Sequence, residues 1–134
     1  MKIAFLDRDG TIVEDYPDNV WGQIENPCFF DDTFDALRDI QEKGYKIIII
    51  TNQYIIGEKF ITEAQYKNFT DLYTDILKKQ HIDILDIFYC PHPRTINCKC
   101  CKPNTGMIEG AINKYNNIDI SRFFLREILN VAKI

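Results

Sequence analysis

Four consecutive isoleucines, Ile47 to Ile50, are the sequence feature that most restricts the fold of this chain. β-Branched side chains favour extended backbone, and a strand that is apolar at every position needs cover on both of its faces. Helices on the two sides of a parallel sheet provide that cover. The segment from Tyr45 to Gln53 therefore predicts a central parallel strand of an α/β domain.

Other segments supply the alternating strands and helices of such a domain. Lys2 to Leu6 and Ile84 to Cys90 are short apolar runs, which predict two more strands. Three segments with apolar residues at helical spacing predict helices. They begin at the N-cap candidate Asp32, at a capping box of Thr62 and Gln65, and at Met107. This alternation predicts a Rossmann-like α/β fold, a parallel sheet with flanking helices, in which ligands bind at the carboxyl ends of the strands.

Length, charge and hydropathy exclude several classes of protein. The 134 residues predict a single domain, 1–134, and a hydrophobic content of 46% is enough for a core. A formal net charge of −4 without any Lys/Arg-rich run argues against binding to nucleic acid. No apolar run approaches the length of a signal peptide core or a membrane span, so we expect a cytoplasmic protein without membrane contact.

Polar residues follow two of the predicted strands. Asp7 and Asp9 follow the first strand in FLDRDGT, and Thr51 and Asn52 close the second. An isolated Asp-x-Asp-Gly is typical of a turn, because Asp and Gly are turn formers. The second polar strand end favours a binding crevice instead, since the carboxyl ends of parallel strands meet at one edge of the sheet.

A cluster of metal-binding residue types follows the third predicted strand. Cys90 and His92 are one residue apart, and so are Cys98 and Cys100. A Cys₃His set suits tetrahedral Zn²⁺, and four protein ligands leave no open position, which predicts a structural zinc. The alternative is a set of reduced thiols without a shared ligand; disulfides are disfavoured in a reducing compartment.

Two further cysteines are not expected to join this zinc set. Cys101 is adjacent to Cys100 and is predicted to point away from the metal. Cys28 is interpreted as a small residue of a loop or of the core. The long aromatic and polar stretch around it, from Asp15 to Asp32, is either an ordinary connection or a loop over the active site.

The FLDRDGT and IIITNQ segments resemble motifs one and two of the haloacid dehalogenase superfamily. The resemblance implies that Asp7 is the nucleophile of a phosphatase and that Asp9 is its general acid and base. It also implies that Thr51, Asn52 and the motif-three lysine, Lys102, bind the phosphoryl group. Mg²⁺ would be the catalytic cofactor, held by the Asp7 carboxylate and the backbone carbonyl of Asp9. A carboxylate can serve as a nucleophile in two-step transfer, and a cation offsets the charge of the phosphate.

The cysteine cluster and the CKPNTGM segment narrow the resemblance to one subfamily. Together with the first two motifs they are similar to heptose 1,7-bisphosphate phosphatases and the related histidinol-phosphate phosphatases. The implied activity is Mg²⁺-dependent hydrolysis of a phosphate monoester, with a sugar (heptose) phosphate as the leading substrate and an aspartyl-phosphate intermediate. The implied partner is a small phosphorylated metabolite of carbohydrate metabolism.

The chain departs from the pattern of this subfamily at two places. Cys101 stands where the subfamily has an arginine, whose fork would help to hold the substrate. The Gly-Asp pair of motif four is not found after NNIDISRFF, and neither Asp119 nor Glu127 lies at a recognisable strand end. Leu125, Ile128, Leu129 and Ala132 have helical spacing, so we expect a helix or another replacement for the fourth strand.

These departures leave two functions and two oligomeric states open. The alternative to the phosphatase is a zinc-stabilised protein that binds phosphate or a partner without turnover. A sheet without its fourth strand would leave an edge beside the site, which the chain's own tail or a second subunit would cover. We therefore expect either a monomer or a homodimer.

Overall fold

The sheet has four parallel strands. The computed structural model describes residues 1–119 and the backbone of 124–126. The strands are β1 (Lys2–Leu6), β2 (Tyr45–Asn52), β3 (Ile84–Cys90) and β4 (Phe124–Arg126), in the order β3-β2-β1-β4. Every adjacent pair is parallel. The α/β architecture predicted from the sequence is confirmed, and its three predicted strands are present.

Helices connect the strands. They are α1 (Thr33–Glu42), α2 (Tyr54–Gly57), α3 (Glu63–Lys79) and α4 (Gly106–Lys114), with a single 3₁₀ turn at Trp21–Gln23. The predicted capping box begins α3: the hydroxyl of Thr62 accepts from the amide of Gln65, whose side chain accepts from the amide of Thr62. Asp32 occupies the N-cap position of α1 without a side-chain cap bond.

The isoleucine run places side chains on both faces of the sheet. Ile47 and Ile49 join one apolar cluster, which includes Leu37 of α1 and the buried face of α3. Ile48 and Ile50 join a second cluster with Met107 and Ala111 of α4. All four isoleucines are buried, which confirms that β2 is covered on both sides. Burial of each such side chain stabilises the fold by about 1.5–3 kcal/mol.

The strand β4 corrects one expectation about the last part of the chain. Helical spacing that included Leu125 favoured a helix or a non-strand replacement, and with it an open edge beside the site. The structure instead pairs Phe124–Arg126 with Ala4, Phe5 and Leu6 of β1, in parallel register. Spacing alone cannot exclude a strand, because only the tertiary fold places the free hydrogen-bonding groups of β1 beside this segment. Ile128, Leu129 and Ala132 lie outside the described residues.

The carboxyl end of β1 lies at the topological switch point of the sheet, where the strand order reverses. From β1 the chain moves through α1 to β2 and then through α3 to β3, whereas α4 leads back across to β4 on the other side of β1. Crevices at the carboxyl ends of strands at such reversals are the usual ligand sites of open α/β sheets. In the part of the chain that the structure describes, no helix is both long and apolar enough to cross a membrane.

Candidate active site and metal centre

Asp7 is the first residue after β1 and lies at the floor of the crevice. Its side chain is mostly buried, and its Oδ1 accepts from the backbone amide of Arg8 at 2.8 Å. Lys102 Nζ lies 2.9 Å from the same oxygen. Burial raises the pKa of Asp7, and the charge of Lys102 opposes that rise. The second oxygen, Oδ2, has no hydrogen bond to any described residue, so it is the oxygen available to a ligand.

Asn52, at the end of β2, holds Lys102 in place. Its Oδ1 accepts from the backbone amide of Lys102 at 2.8 Å, and its Nδ2 donates to the carbonyl of Lys102 at 3.2 Å. Both polar atoms of the side chain therefore contact the main chain of one residue 50 positions away. This clamp fixes the backbone from which the lysine reaches Asp7.

Thr51 is buried beneath the crevice and is paired with Gln53. The amide of Gln53 donates to the Thr51 hydroxyl oxygen at 2.9 Å, and both residues are 1% exposed. The hydroxyl hydrogen of Thr51 has no acceptor among residues 1–119. The same Gln53 amide donates to Asp9 Oδ2 at 2.9 Å, so the ends of β1 and β2 are joined by this one side chain.

Asp9 is paired with the guanidinium of Arg8. Arg8 Nε donates to Asp9 Oδ1 at 2.6 Å, and Nη2 donates to Oδ2 at 3.1 Å. The following Gly10 has a φ of +80°, a conformation that suits glycine, and the next three amides turn back onto the Arg8 carbonyl. This turn points the side chains of Asp7 and Asp9 into one pocket.

The pocket has a volume of about 310 Å³, near the lower end of the range for small-molecule sites. It is lined by both aspartates, Lys102, Asn52 and residues of the 15–32 stretch. Asp15, Asp18 and Trp21 of that stretch reach the pocket, and Tyr54 OH donates to Asp18 Oδ1 at 2.8 Å. Burial and the charge of Asp9 raise the pKa of Asp15. The stretch is therefore a loop over the candidate active site.

The four predicted zinc ligands come together after β3. The Sγ and ring nitrogen atoms of Cys90, His92, Cys98 and Cys100 all lie within 4.8 Å of one another. His92 Nδ1 lies 3.3 Å from Cys90 Sγ and 3.2 Å from Cys100 Sγ. One nitrogen facing three sulfurs at such distances fits a tetrahedral Zn²⁺ with Zn–S bonds of about 2.3 Å.

The thiols of this cluster are crowded enough to share protons. Cys100 Sγ lies 2.8 Å and Cys98 Sγ 3.5 Å from Cys90 Sγ. Burial raises the pKa of Cys90 far above its usual value. Burial also raises that of Cys98, but hydrogen bonds from the Cys101 amide and the neighbouring ligand groups outweigh it and bring the pKa to about 6. A thiolate is therefore available near neutral pH, as a metal ligand must be.

The remaining cysteines are not among the four converging ligand residues, but the Cys101 thiol contacts those of Cys90 and Cys98, so it does not point fully away from the cluster as expected. Cys101 Sγ lies 3.6 Å from the carbonyl of Lys102. Cys28 is an exposed residue of the long loop. Asp119 lies near the amino end of β1, at the opposite end of that strand from Asp7, because its amide donates to the carbonyl of Met1. Glu127 directly follows β4, which corrects the expectation that it does not lie at a strand end, and it lies outside the described residues.

The loop from Pro91 to Cys100, which carries three of the four candidate zinc ligands, is attached to α2 by close packing and by an ion pair. A Cβ on Gly57 would overlap the carbonyl of Pro91 and lie 2.5 Å from Cδ of Pro93. Arg94 donates two hydrogen bonds to Glu58, at 2.9 Å and 2.7 Å, and its guanidinium covers the Tyr54 ring. The loop is thus fixed to the helix that directly follows Gln53.

We expect Gly57→Ala to lower the melting temperature, because its methyl group would force the loop away from α2. Overpacking of this kind costs about 1–3 kcal/mol. The matched control is Gly110→Ala, where the nearest atom is 3.6 Å away on the Phe88 ring and alanine favours the helix. Thermal melts should show a loss for Gly57→Ala and none for Gly110→Ala. Equal melting temperatures for the two variants would contradict the close packing.

The fold and this site define a class of protein. Two aspartates after β1, a lysine that contacts the first of them and a parallel sheet together are the arrangement of a haloacid dehalogenase-like domain. The sequence model of one family, described as polynucleotide kinase 3 phosphatase, matches residues 2–125. The chain belongs to this family.

Named relatives narrow the similarity further. The chain is 44% identical over 132 residues to a D-glycero-alpha-D-manno-heptose-1,7-bisphosphate 7-phosphatase of Photorhabdus laumondii, covering 93% of this chain and 70% of that protein. It is 34% identical over 129 residues to the D-glycero-beta-D-manno-heptose-1,7-bisphosphate 7-phosphatase of Escherichia coli K12, covering 90% of this chain and 65% of that protein. The resemblance to heptose bisphosphate phosphatases inferred from the motifs is confirmed.

A solved structure agrees with these relatives. The D,D-heptose 1,7-bisphosphate phosphatase from B. bronchiseptica, complexed with magnesium and phosphate, matches with a TM-score of 0.78 and 25% identity. The match covers 87% of this chain and 64% of that structure. This chain therefore spans a little under two thirds of the solved phosphatase.

Several site residues were not assigned from the sequence. Arg8 and Gln53 hold Asp9, and Asp15, Asp18 and Trp21 line the pocket. Gln53 directly follows the polar end of β2, which is a signal that could have included it. Arg8 carried no such signal. Neighbouring side chains on extended backbone point in opposite directions, so a residue between two pocket aspartates is expected to point away from the pocket.

Proposed function

We propose that this chain is a Mg²⁺-dependent phosphatase that hydrolyses a phosphate monoester of a sugar, with a heptose phosphate as the leading substrate. One observation carries the proposal: Asp7, Asp9 and Lys102 line a single pocket at the carboxyl ends of the strands. Two carboxylates and a cation are the groups that two-step phosphoryl transfer needs.

In this proposal the steps of the reaction are divided among the side chains of the pocket. Asp7 attacks phosphorus through Oδ2, while Lys102 and the Arg8 amide hold Oδ1. Asp9 gives a proton to the leaving oxygen and later takes one from the water that hydrolyses the aspartyl-phosphate. Lys102, the Thr51 hydroxyl and the second hydrogen of the Asn52 amide are the proposed contacts to phosphate oxygens.

The Asp7 carboxylate and the backbone carbonyl of Asp9 are the proposed Mg²⁺ ligands. The acidic lining of the pocket supports this assignment, since hard oxygen atoms are the ligands that Mg²⁺ prefers. When bound, the ion supplies positive charge that offsets the charge of the phosphate.

Zn²⁺ is proposed at Cys90, His92, Cys98 and Cys100 as a structural ion. Four protein ligands leave no position for substrate or water, so the proposal gives this ion no part in the chemistry. Its support is the convergence of the four ligand atoms and the lowered pKa of Cys98. Through Cys100, the site also anchors the segment that carries Lys102.

Both the relatives and the pocket support a sugar phosphate as substrate. The two bacterial relatives are named for heptose bisphosphate, and the solved structure holds magnesium and phosphate. The outer pocket offers Asp15, Asp18 and Asn52, which are acceptors and donors suited to hydroxyl groups. We further propose that residues 1–134 act as one cytoplasmic domain, as a monomer or a homodimer.

Phosphate release from a substrate panel tests this function. The panel contains heptose bisphosphate, other sugar phosphates and histidinol phosphate, each assayed with and without Mg²⁺. We expect Mg²⁺-dependent release, fastest from a sugar phosphate. Binding of a phosphate analogue without turnover of any panel member would instead favour the phosphate-binding protein. Turnover that is independent of Mg²⁺ would contradict the proposed metal site.

A further inference from the structure

Arg8 is a fully buried arginine between the two aspartates, and the roles proposed above use only its backbone. Arg8 is only 1% exposed, although its side chain carries a permanent charge. Three aromatic rings surround the guanidinium: its centre lies 4.9 Å from the Phe69 ring, 5.1 Å from Trp21 and 5.8 Å from Tyr66. A charge buried at this cost is expected to have a specific partner, and here the partner is Asp9.

We propose that Arg8 is a positioning residue that orients the Asp9 carboxylate for proton transfer to the leaving group. The inference rests on the proposed phosphatase function and adds a residue to it. The fork from Nε and Nη2 to the two oxygens of Asp9 fixes the plane of the carboxylate, which a single hydrogen bond would not do.

The hydrogen bonds of Asp9 also indicate which oxygen carries the proton. A carboxylate has about four lone-pair positions, two on each oxygen. Oδ2 accepts from Arg8 Nη2 and from Gln53 Nε2, so both of its positions are used. Oδ1 accepts only from Arg8 Nε among the described residues. Among the described residues Oδ1 therefore keeps one position free, and we assign the transferred proton to it.

The rings around Arg8 favour a guanidinium over an ammonium. A planar guanidinium stacks on aromatic faces and donates two parallel hydrogen bonds, whereas the ammonium of a lysine is a strongly hydrated point charge. Phe69 and Tyr66 belong to α3, and Trp21 belongs to the loop over the pocket. The plane of the Asp9 carboxylate is thus set by the packing of two elements that do not themselves contribute a catalytic group.

Arg8 supports the step that cleaves the phosphate ester. Asp7 Oδ2 forms a bond to phosphorus, and the bond between phosphorus and the ester oxygen breaks with its electron pair going to that oxygen. The proton on Asp9 Oδ1 moves to the same oxygen, so an alcohol leaves and Asp9 becomes a carboxylate. An alkoxide needs this proton, whereas p-nitrophenolate leaves readily without one.

The kinetics of Arg8→Met with two phosphate esters that differ in their leaving group test this inference. We expect kcat/KM for the preferred sugar phosphate to fall by about 10²-fold, in the range of a lost general acid, and kcat/KM for p-nitrophenyl phosphate to fall by less than about 3-fold. kcat/KM reports formation of the phosphorylated Asp7, where the two leaving groups differ. Hydrolysis of that shared intermediate also uses Asp9, so kcat should fall for both esters. Because kcat/KM for the aryl ester is nearly unchanged, its KM should fall together with kcat.

Two variants keep the test decisive. Arg8→Lys retains the charge and is the variant to use if Arg8→Met does not fold; it cannot form the fork, so the sugar ester should again lose more than the aryl ester. Arg38→Met is the matched control, because Arg38 also makes hydrogen bonds that are partly buried, to Gln80 and outside the pocket. Its destabilisation should leave the ratio of the two kcat/KM values unchanged.

Three results would overturn the inference. An equal loss for both esters in Arg8→Met would assign the residue to stability alone. A wild-type ratio in Arg8→Lys would remove the fork from the explanation. A wild-type chain without turnover of either ester would overturn the proposed function itself, and the inference with it. A failure of the inference alone would leave wild-type turnover, and its loss in Asp7→Asn, intact.

Discussion

Asp7→Asn is expected to abolish Mg²⁺-dependent phosphate release, lowering kcat by about 10³-fold or more, which corresponds to at least about 4 kcal/mol of transition-state stabilisation. An amide oxygen is a far weaker nucleophile than a carboxylate, so the aspartyl-phosphate cannot form. Steady-state phosphate release measures the loss. In the wild-type chain, a phosphorylated peptide containing Asp7, trapped by acid quench, would show the intermediate directly.

The same substitution should leave the fold intact. Burial raises the pKa of Asp7, so the folded state disfavours the ionised form relative to the unfolded chain. Such a carboxyl group stabilises the fold only at low pH, and that contribution is lost as the pH rises through the raised pKa. A neutral asparagine should therefore keep or raise the melting temperature near pH 7, although the contact with Lys102 weakens. On acidification, Asp7 should therefore not add to the loss of wild-type stability, whereas a carboxyl group with a lowered pKa would.

Asp31→Asn is the matched control for this experiment. Asp31 is exposed and does not line the pocket, so its substitution removes one negative charge without touching the proposed chemistry. Its phosphate release should equal that of the wild type. Wild-type turnover by Asp7→Asn would place the nucleophile elsewhere, whereas a large fall in its melting temperature would show that Asp7 is needed for folding.

Removal of zinc is expected to lower the melting temperature by about 10 °C or more. Binding of a structural ion contributes directly to folding free energy, and a loss of ~3 kcal/mol shifts the melting point of a domain of this size by roughly that amount. Both chelation and Cys98→Ala should have this effect. Atomic absorption should find one zinc for each wild-type chain and little or none in Cys98→Ala.

The other cysteines provide the controls for the zinc prediction. Cys28→Ala removes an exposed thiol away from the four ligands, so it should retain zinc and lose much less stability. Cys101→Ala removes a thiol that contacts Cys90 and Cys98 without being one of the four ligands, so it should also retain zinc. After chelation, Zn²⁺ should restore the melting temperature and Mg²⁺ should not. Chelation that left the melting curve and the metal content unchanged would contradict the zinc assignment.

Loss of zinc should also impair turnover through Lys102. Cys100 is two residues before Lys102, whose backbone is held on its other side by Asn52. Without the ion, only the Asn52 clamp would position the lysine against Asp7. The two proposed metal sites would thus be connected by one short segment of backbone.

Local sequence patterns were sufficient for most of the fold. The bounds of β1 and β3 agree with their apolar runs, and the capping box of Thr62 and Gln65 begins α3 as predicted. Each of these signals arises among residues a few positions apart, through side-chain periodicity or a cap. β4 was not foreseen as a strand, because a three-residue segment has too little periodicity and its pairing with β1 joins residues 120 positions apart.

The amino-acid sequence by itself determined the chemistry that this chain can offer: two aspartates after a strand, a downstream lysine and four metal ligands at close spacing. These follow from residue type and order, which the sequence states directly. Only the tertiary structure decided how the groups are held: Arg8 within a set of aromatic rings, Gln53 between Asp9 and Thr51, and Asn52 on the backbone of Lys102. The physical reason is that each of these arrangements depends on hydrogen bonds or ring contacts between residues distant in the chain, whose directions are fixed only when the sheet and α3 pack together.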